Sequence, residues 1–194
     1  MKLLKGIVMA LVACAAAGAN TIYYQEQGIA SGTLDGTMFA NVLVTVQVAG
    51  DTAAVSNLGF GIFLNAGTSE IFVPGVGMEV FTDLLEAEVD QGLNAGGIFD
   101  ASQAADIMFT TADPAFHAYS LANGFGPTSS SGSINPSGDV FPTSAGFVYF
   151  SGFGSTTFTA SLTPFTPTPE PGSLAGLLAV GLAGLIAARR ARHN

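Results

Sequence analysis

Apolar and polar residues alternate along several segments in the middle of the chain. Valine occupies every second position of residues 42–48, and Phe158, Ala160 and Leu162 alternate with threonine and serine in the same way. A period of two side chains is typical of a β-strand that buries one face. Residues 147–150 are all apolar and predict a strand with two apolar faces. Shorter segments also have strand character: residues 59–64, 70–73, 77–81, 106–110 and 118–121.

Turn-forming residues separate these segments, at Leu34-Asp35-Gly36, Asn94-Ala95-Gly96-Gly97 and Ala112-Asp113-Pro114. Many short strands joined by such turns indicate an all-β sandwich or barrel, and we expect a β-sandwich or jelly-roll-like body. Two segments depart from this pattern. The spacing of leucine and valine predicts a short helix over residues 81–89. The glycine, serine, proline and asparagine of residues 124–144 predict a long exposed loop.

The first nineteen residues resemble an export signal. Lys2 and Lys5 precede an apolar run over residues 6–16, which is too short to span a bilayer comfortably. Ala17 and Ala19 then form a small-x-small cleavage site in front of Asn20. These features predict a secretory signal helix over residues 1–19. A buried N-terminal helix is one alternative. A second is that Leu11-Val12-Ala13-Cys14 acts as a bacterial lipobox, in which Cys14 would become the lipidated N-terminus.

The C-terminal end combines a proline-rich linker with an apolar helix. Residues 164–171 contain four prolines, which predict an extended, semi-rigid spacer. Residues 172–188 carry Ser173 as their one polar side chain and would form a helix of roughly 26 Å, close to the minimum for a membrane span. Arginines follow within residues 189–194 and favour the cytoplasmic side. We therefore expect a single transmembrane helix and tail over residues 172–194, with residues 20–163 as the exported body. A buried core helix is the alternative for residues 172–188.

Pro169, Glu170 and Pro171, followed by a helix of small apolar residues and then Arg189 and Arg190, occur in a specific order. This order resembles the PEP-CTERM sorting signal of Gram-negative envelope proteins. The resemblance implies that an exosortase, a membrane cysteine protease, recognises the Pro-Glu-Pro motif and severs the anchor near it. The body would be held briefly at the inner membrane and then pass to the cell surface or the medium. The family is associated with exopolysaccharide and biofilm matrix.

Charge is scarce and unevenly placed. Charged residues make up 10% of the chain, whereas a typical soluble domain has about 25%. All five lysines and arginines lie at the two ends, and thirteen of the fourteen acids lie between Asn20 and Pro169. A body without lysine or arginine is a poor partner for polyanions, which excludes nucleic acid. The single cysteine excludes a disulfide framework and a multi-thiolate metal site.

Catalytic groupings are weak in this body. His117 is its one histidine and could join Asp113 and a serine in a triad, but no Gly-x-Ser-x-Gly motif is present, so we expect a surface or capping histidine. The densest acids are Glu79, Asp83, Glu86, Glu88 and Asp90. On a helix they would pair four residues apart, and on a strand the last three would align. Calcium could bridge them, although EF-hand spacing is absent. No cofactor motif is found.

Three functions are compatible with these observations. We expect an exported, non-enzymatic envelope or matrix protein that carries a cleavable sorting anchor. The alternative is a carbohydrate-binding or adhesive module, with or without calcium, which exposed tyrosine or phenylalanine on one sheet face would favour. The third is a secreted hydrolase, which would need a cleft that joins His117 or a pair of acids.

Overall fold

The computed structural model describes residues 20–165, which fold into eleven antiparallel strands and one 3-10 helix, Pro114–Ala118. The strands are β1 (Thr21–Leu34), β2 (Thr37–Asp51), β3 (Ser56–Gly59), β4 (Ile62–Val73), β5 (Gly77–Val80), β6 (Leu85–Asp90), β7 (Ala95–Asp100), β8 (Ala105–Thr110), β9 (Phe125–Ile134), β10 (Phe141–Pro142) and β11 (Phe147–Ser161). The all-β prediction is confirmed.

Eight of these strands close into a barrel rather than stacking as two sheets. Hydrogen bonding follows the order β1, β2, β4, β6, β7, β8, β9 and β11, and β11 pairs back onto β1. That closing pair runs from Tyr23 opposite Ser161 to Leu34 opposite Val148. The prediction of a sandwich or jelly-roll is therefore wrong. Alternation specifies which residues face inward, but it does not specify whether the first and last strands meet.

The short strands β5 and β10 narrow one end of the barrel, whereas β3 pairs with β4 at the opposite end. β5 pairs with β4 beyond the end of β6, and β10 pairs with β11 beyond the end of β9. At this end β7 and β8 are joined by the turn at residues 101–104, and Phe81 forms an antiparallel bridge to Thr143. Fewer strands therefore surround this end, and aromatic side chains fill it: Phe39, Phe81, Phe141 and Phe150.

The opposite end is capped by the segment between β8 and β9. Phe116 of the 3-10 helix is fully buried, and its ring centroid lies 5.1 Å from that of Phe125 and 5.6 Å from that of Phe158. Tyr24, which faces inward from β1, donates a hydrogen bond of 2.6 Å to the carbonyl of Leu121. The cap is thus fastened to the barrel by both apolar packing and a buried hydrogen bond.

The valine alternation of residues 42–48 correctly identifies the buried face of β2. Val44, Val46 and Val48 are fully buried, whereas Leu43 is exposed. The two apolar faces predicted for residues 147–150 also occur in β11: Val148 and Phe150 point inward, and Phe147 and Tyr149 lie on the outer surface.

Four local predictions are wrong. Residues 81–89 contain strand β6 instead of a helix, because β6 pairs with β4 on one edge and β7 on the other, which places Leu85, Ala87 and Val89 together on the buried face. The predicted loop at residues 124–144 contains β9, whose small polar residues pair with β11. Residues 118–121 form no strand, and Ala95–Gly97 of a predicted turn belong to β7.

Several predicted features lie outside the described residues. These are the signal helix of residues 1–19, most of the linker at residues 164–171, and the apolar helix with its tail at residues 172–194. Within residues 20–165, no helix has the length and apolar character needed to cross a membrane.

Candidate functional site

The sorting residues predicted from the sequence lie outside the described chain, except for Asn20. The outlying residues are Ala17, Ala19, Pro169, Glu170, Pro171, Arg189 and Arg190. Asn20 is exposed at the start of the barrel, where its backbone N–H donates to Thr52 Oγ1 at 3.2 Å. The candidate site that the structure itself offers is a groove on the outer wall.

This groove lies across β6, β7 and β8 and has a volume of about 360 Å³. Glu88 pairs with Gly97, and Gly97 pairs with Phe109 on the other side, so these three residues form one row across the strands. Glu88 and Phe109 form opposite walls, with Asp106 and Leu93 also lining the groove. We call this feature the acidic groove.

Two adjacent glycines shape the acidic groove and the cap behind it. A Cβ on Gly97 would lie 2.5 Å from Cβ of Phe109, so glycine leaves the floor of the groove open. A Cβ on Gly96 would point into the barrel and lie 2.9 Å from Cδ1 of Phe116. Gly96 therefore makes room for the cap, whereas Gly97 lets β8 lie close and leaves the floor of the groove without a side chain.

The electrostatics of the groove favour partial protonation. Burial raises the pKa of Glu88 from 4.5 to about 7, and the charges of Asp106, Asp90 and Glu86 add to this effect. Burial also raises the pKa of Asp106. The described residues contain no lysine or arginine to offset these charges. Near neutral pH the groove therefore offers both a hydrogen-bond donor, from a protonated carboxyl, and carboxylate acceptors.

The five acids noted in the sequence divide into two groups. Glu86, Glu88 and Asp90 align on the outer face of β6, which confirms the strand alternative and excludes the helical one. Glu79 accepts a hydrogen bond of 2.6 Å from Ser144, and Asp83 accepts one of 3.1 Å from Ser102. Nowhere in residues 20–165 do three or more histidine, cysteine or acidic side chains form a group that could hold a metal ion.

His117 lies on the surface, as expected for a capping or surface histidine. It is exposed in the 3-10 helix, with Nδ1 3.3 Å from the carbonyl oxygen of Gln91. Asp113 precedes that helix, and its carboxylate accepts the backbone N–H of Ala115 at 2.8 Å. The triad partner suggested by the sequence is thus used as a helix cap. His117 is also absent from the residues that line the acidic groove.

Sequence reasoning missed Gly97, Asp106 and Phe109 as parts of one site. Their contact depends on the pairing of three strands, and residues 94–97 have the composition of a turn. It also missed Glu26 inside the barrel. There a signal was available, because Ile22 and Tyr24 precede Glu26 at every second position and predict that it faces inward.

Comparisons with protein-family models, curated proteins and solved structures found no match for this chain.

Proposed function

We propose that the barrel is the exported cargo of a cell-envelope or matrix protein that carries a cleavable C-terminal sorting anchor. In this proposal residues 1–19 direct export, residues 172–194 hold the chain in the inner membrane, and an exosortase cuts near Pro169-Glu170-Pro171. The released barrel would serve a structural role at the cell surface or in an exopolysaccharide matrix, without catalysis.

The observation that best supports this proposal is the position of the closing strands. The wall begins at Thr21 and ends at Ser161, and these two terminal strands pair with each other. The barrel is thus complete between the predicted signal peptide and the predicted sorting motif. Cleavage near Glu170 would leave all the strand pairing of residues 21–161 in place.

Substitution of the motif tests the proposal. We expect that a variant with alanine at Pro169, Glu170 and Pro171, expressed with an exosortase in a Gram-negative host, stays in the membrane fraction at uncleaved mass. The wild-type chain should lose its anchor. Cell fractionation and intact mass spectrometry provide the measurement.

The matched control is Pro167→Ala, which alters the same linker outside the motif and should be processed like the wild type. Equal processing of the motif variant and the wild type would refute recognition of Pro-Glu-Pro. A full-length wild-type chain that remained in the cytosol would refute export as well.

A second candidate function is carbohydrate binding in the acidic groove. A sugar ring offers hydroxyls that both donate and accept, together with an apolar face of C–H groups. Glu88 and Asp106 match the hydroxyls, and the ring of Phe109 across the open floor at Gly97 matches the apolar face. Phe147 and Tyr149 on the outer face of β11 add exposed aromatic surface of the kind such a module uses.

We expect Phe109→Ala to weaken binding of a soluble β-glucan or galactomannan by about tenfold, ~1.4 kcal/mol. Affinity electrophoresis of the full chain in mild detergent would measure this. The control is Phe72→Ala, which truncates a half-buried phenylalanine on a different strand, β4, and should bind like the wild type. Binding by wild type and Phe109→Ala alike would exclude the groove, and loss of binding in EDTA would indicate calcium. Release of reducing sugar would identify the hydrolase alternative.

A further inference from the structure

Glu26 is an acid sealed inside the barrel. It lies in the middle of β1, is 0% exposed, and faces the interior with Tyr24 and Gly28 on either side along the strand. Its Oε1 lies 2.5 Å from Oγ1 of Thr110 on β8. Its Oε2 has no hydrogen-bond partner among the described residues.

Glu26 begins a chain of three short oxygen–oxygen contacts. Thr110 Oγ1 lies 2.6 Å from Thr156 Oγ1 on β11, and Thr156 Oγ1 lies 3.1 Å from the carbonyl oxygen of Phe109. Three hydrogen bonds need three protons, but the two threonine hydroxyls supply only one each. If Glu26 were ionised, one of these contacts would have no proton.

A protonated Glu26 resolves this shortage. The carboxyl O–H donates to Thr110, the Thr110 hydroxyl donates to Thr156, and the Thr156 hydroxyl donates to the carbonyl of Phe109. Each of the three contacts then has one proton, and the series of hydrogen bonds ends on the carbonyl oxygen of Phe109, which can only accept. Oε2 becomes the carbonyl oxygen of a neutral acid, which costs less to leave without a partner than a buried charge does.

The surroundings of Glu26 contain no group that could balance a negative charge. Its register partners are Val46 on β2 and Phe158 on β11, and residues 20–165 contain no lysine or arginine. The inward titratable groups near this level are the phenols of Tyr24 and Tyr119, whose pKa values are raised by burial so that both stay neutral. His117 is exposed, and the buried Asp100 is bonded to Ser102 and Gln103 at the end of β7.

We infer that Glu26 is the neutral head of a Glu26–Thr110–Thr156 hydrogen-bond chain, and that the barrel takes up a proton on folding. The chain joins β1, β8 and β11, so its protonation state acts on the strand pair that closes the barrel. The contribution of Glu26 to the stability of the folded barrel is therefore largest in acid and decreases as the medium becomes alkaline.

The direction of this effect follows from proton linkage. Burial raises the pKa of Glu26 from 4.5 to about 8, although the threonine hydrogen bonds act in the opposite direction. The stabilising contribution is complete below about pH 4.5, declines between pH 4.5 and about 8, and is lost above that range. Within this window, Glu26 raises the unfolding constant about tenfold for each pH unit.

Urea unfolding of the full chain in a neutral detergent at pH 5, 6 and 7 tests the inference. All four tyrosines lie within residues 20–165 and the chain has no tryptophan, so tyrosine fluorescence reports on the barrel alone. In Glu26→Gln the amide N–H can replace the carboxyl O–H toward Thr110, but the titrating proton is lost. We expect the rise of the unfolding constant with pH to be smaller in this variant than in the wild type, by a factor of about ten for each pH unit.

The control is Glu88→Gln, which removes a different acid of raised pKa from the outer wall. Each single substitution should reduce the pH dependence of the unfolding constant, and the two reductions should add in the double variant. The reason is that the two side chains lie on opposite faces of the wall. An unchanged pH dependence in Glu26→Gln would overturn the inference.

A second measurement covers the case in which Glu26→Gln fails to fold. In the Glu88→Gln variant, which retains Glu26, a ¹³C NMR titration of the glutamate carboxyls should show one resonance that remains in the protonated position from pH 5 to 7. This variant is used because burial raises the pKa of Glu88 to about 7, and its signal would otherwise overlap that of Glu26. Titration of every remaining glutamate below pH 6 would overturn the inference.

Discussion

Phe158→Ala should lower the free energy of unfolding by about 3–5 kcal/mol. Phe158 is fully buried on β11, and its ring contacts the aromatic cap, with centroids 5.6 Å from Phe116 and 6.1 Å from Phe125. Truncation would leave a cavity between the wall and the cap, and the closed strands around it could collapse only in part. Since many domains are stable by only about 5–15 kcal/mol, this loss would remove a large share of the stability of a typical domain.

Phe147→Ala is the matched control for this prediction. It removes the same side chain from the same strand, but Phe147 is 62% exposed and points away from the core. Its effect should stay within about 0.5 kcal/mol. Urea unfolding followed by tyrosine fluorescence measures both variants, because Tyr24 and Tyr119 lie beside Phe158. Similar losses in the two variants would show that Phe158 does not hold the cap.

Gly132→Ala is expected to destabilise the barrel by about 2–3 kcal/mol or more, through overpacking. A Cβ at Gly132 would collide with Oγ1 of Thr156 and with the carbonyl oxygen of Phe109. These two atoms form the last hydrogen bond of the chain that begins at Glu26. The substitution would therefore push β9 away from β8 and β11 and also break a buried hydrogen bond.

Gly124→Ala provides the comparison, since its nearest neighbour would be the carbonyl oxygen of Ala160 at 3.5 Å. We expect a change of less than about 0.5 kcal/mol, or a slight gain from the stiffer unfolded chain. The urea midpoints of the two variants give the answer. Equal midpoints would contradict the prediction, because they would mean that β9 and β11 can accommodate a Cβ at Gly132 without loss of stability.

The two proposals concern different parts of the protein. Processing at Pro169-Glu170-Pro171 depends on segments that flank the barrel, whereas the proton chain depends on Glu26, Thr110 and Thr156 inside it. Failure of the processing experiment would leave the pH dependence of unfolding unchanged. Failure of the Glu26→Gln experiment would likewise leave the sorting proposal untouched.

The sequence supported the strand predictions wherever one face was strongly apolar. The valines of β2 are an example, because three of them are fully buried as the alternation requires. It failed at β6 and β9 for opposite reasons. β6 is short enough for its apolar residues to fit either a helical or an extended period. β9 carries serine and glycine on both faces, so its strand depends on pairing with β11 rather than on its own hydrophobicity.

The acidic groove illustrates the same limit for a site. The alignment of Glu86, Glu88 and Asp90 was one of two readings that the spacing allowed. Phe109 lies across Gly97 from Glu88, and Asp106 shares the groove. Both placements depend on contacts between residues as much as 21 positions apart in the chain. Contacts of this kind are set by strand register, which a single sequence does not contain.

By itself, the sequence determined the all-β class of the body and the absence of lysine and arginine from it, because local alternation and composition are properties of the chain alone. It also led to the expectation of terminal export and sorting segments. Only the tertiary structure decided that the strands close into a barrel, that Gly97 opens a groove between Glu88 and Phe109, and that Glu26 meets two threonines in the core. Each of these depends on long-range pairing, in which packing and hydrogen bonding between distant strands outweigh local preference.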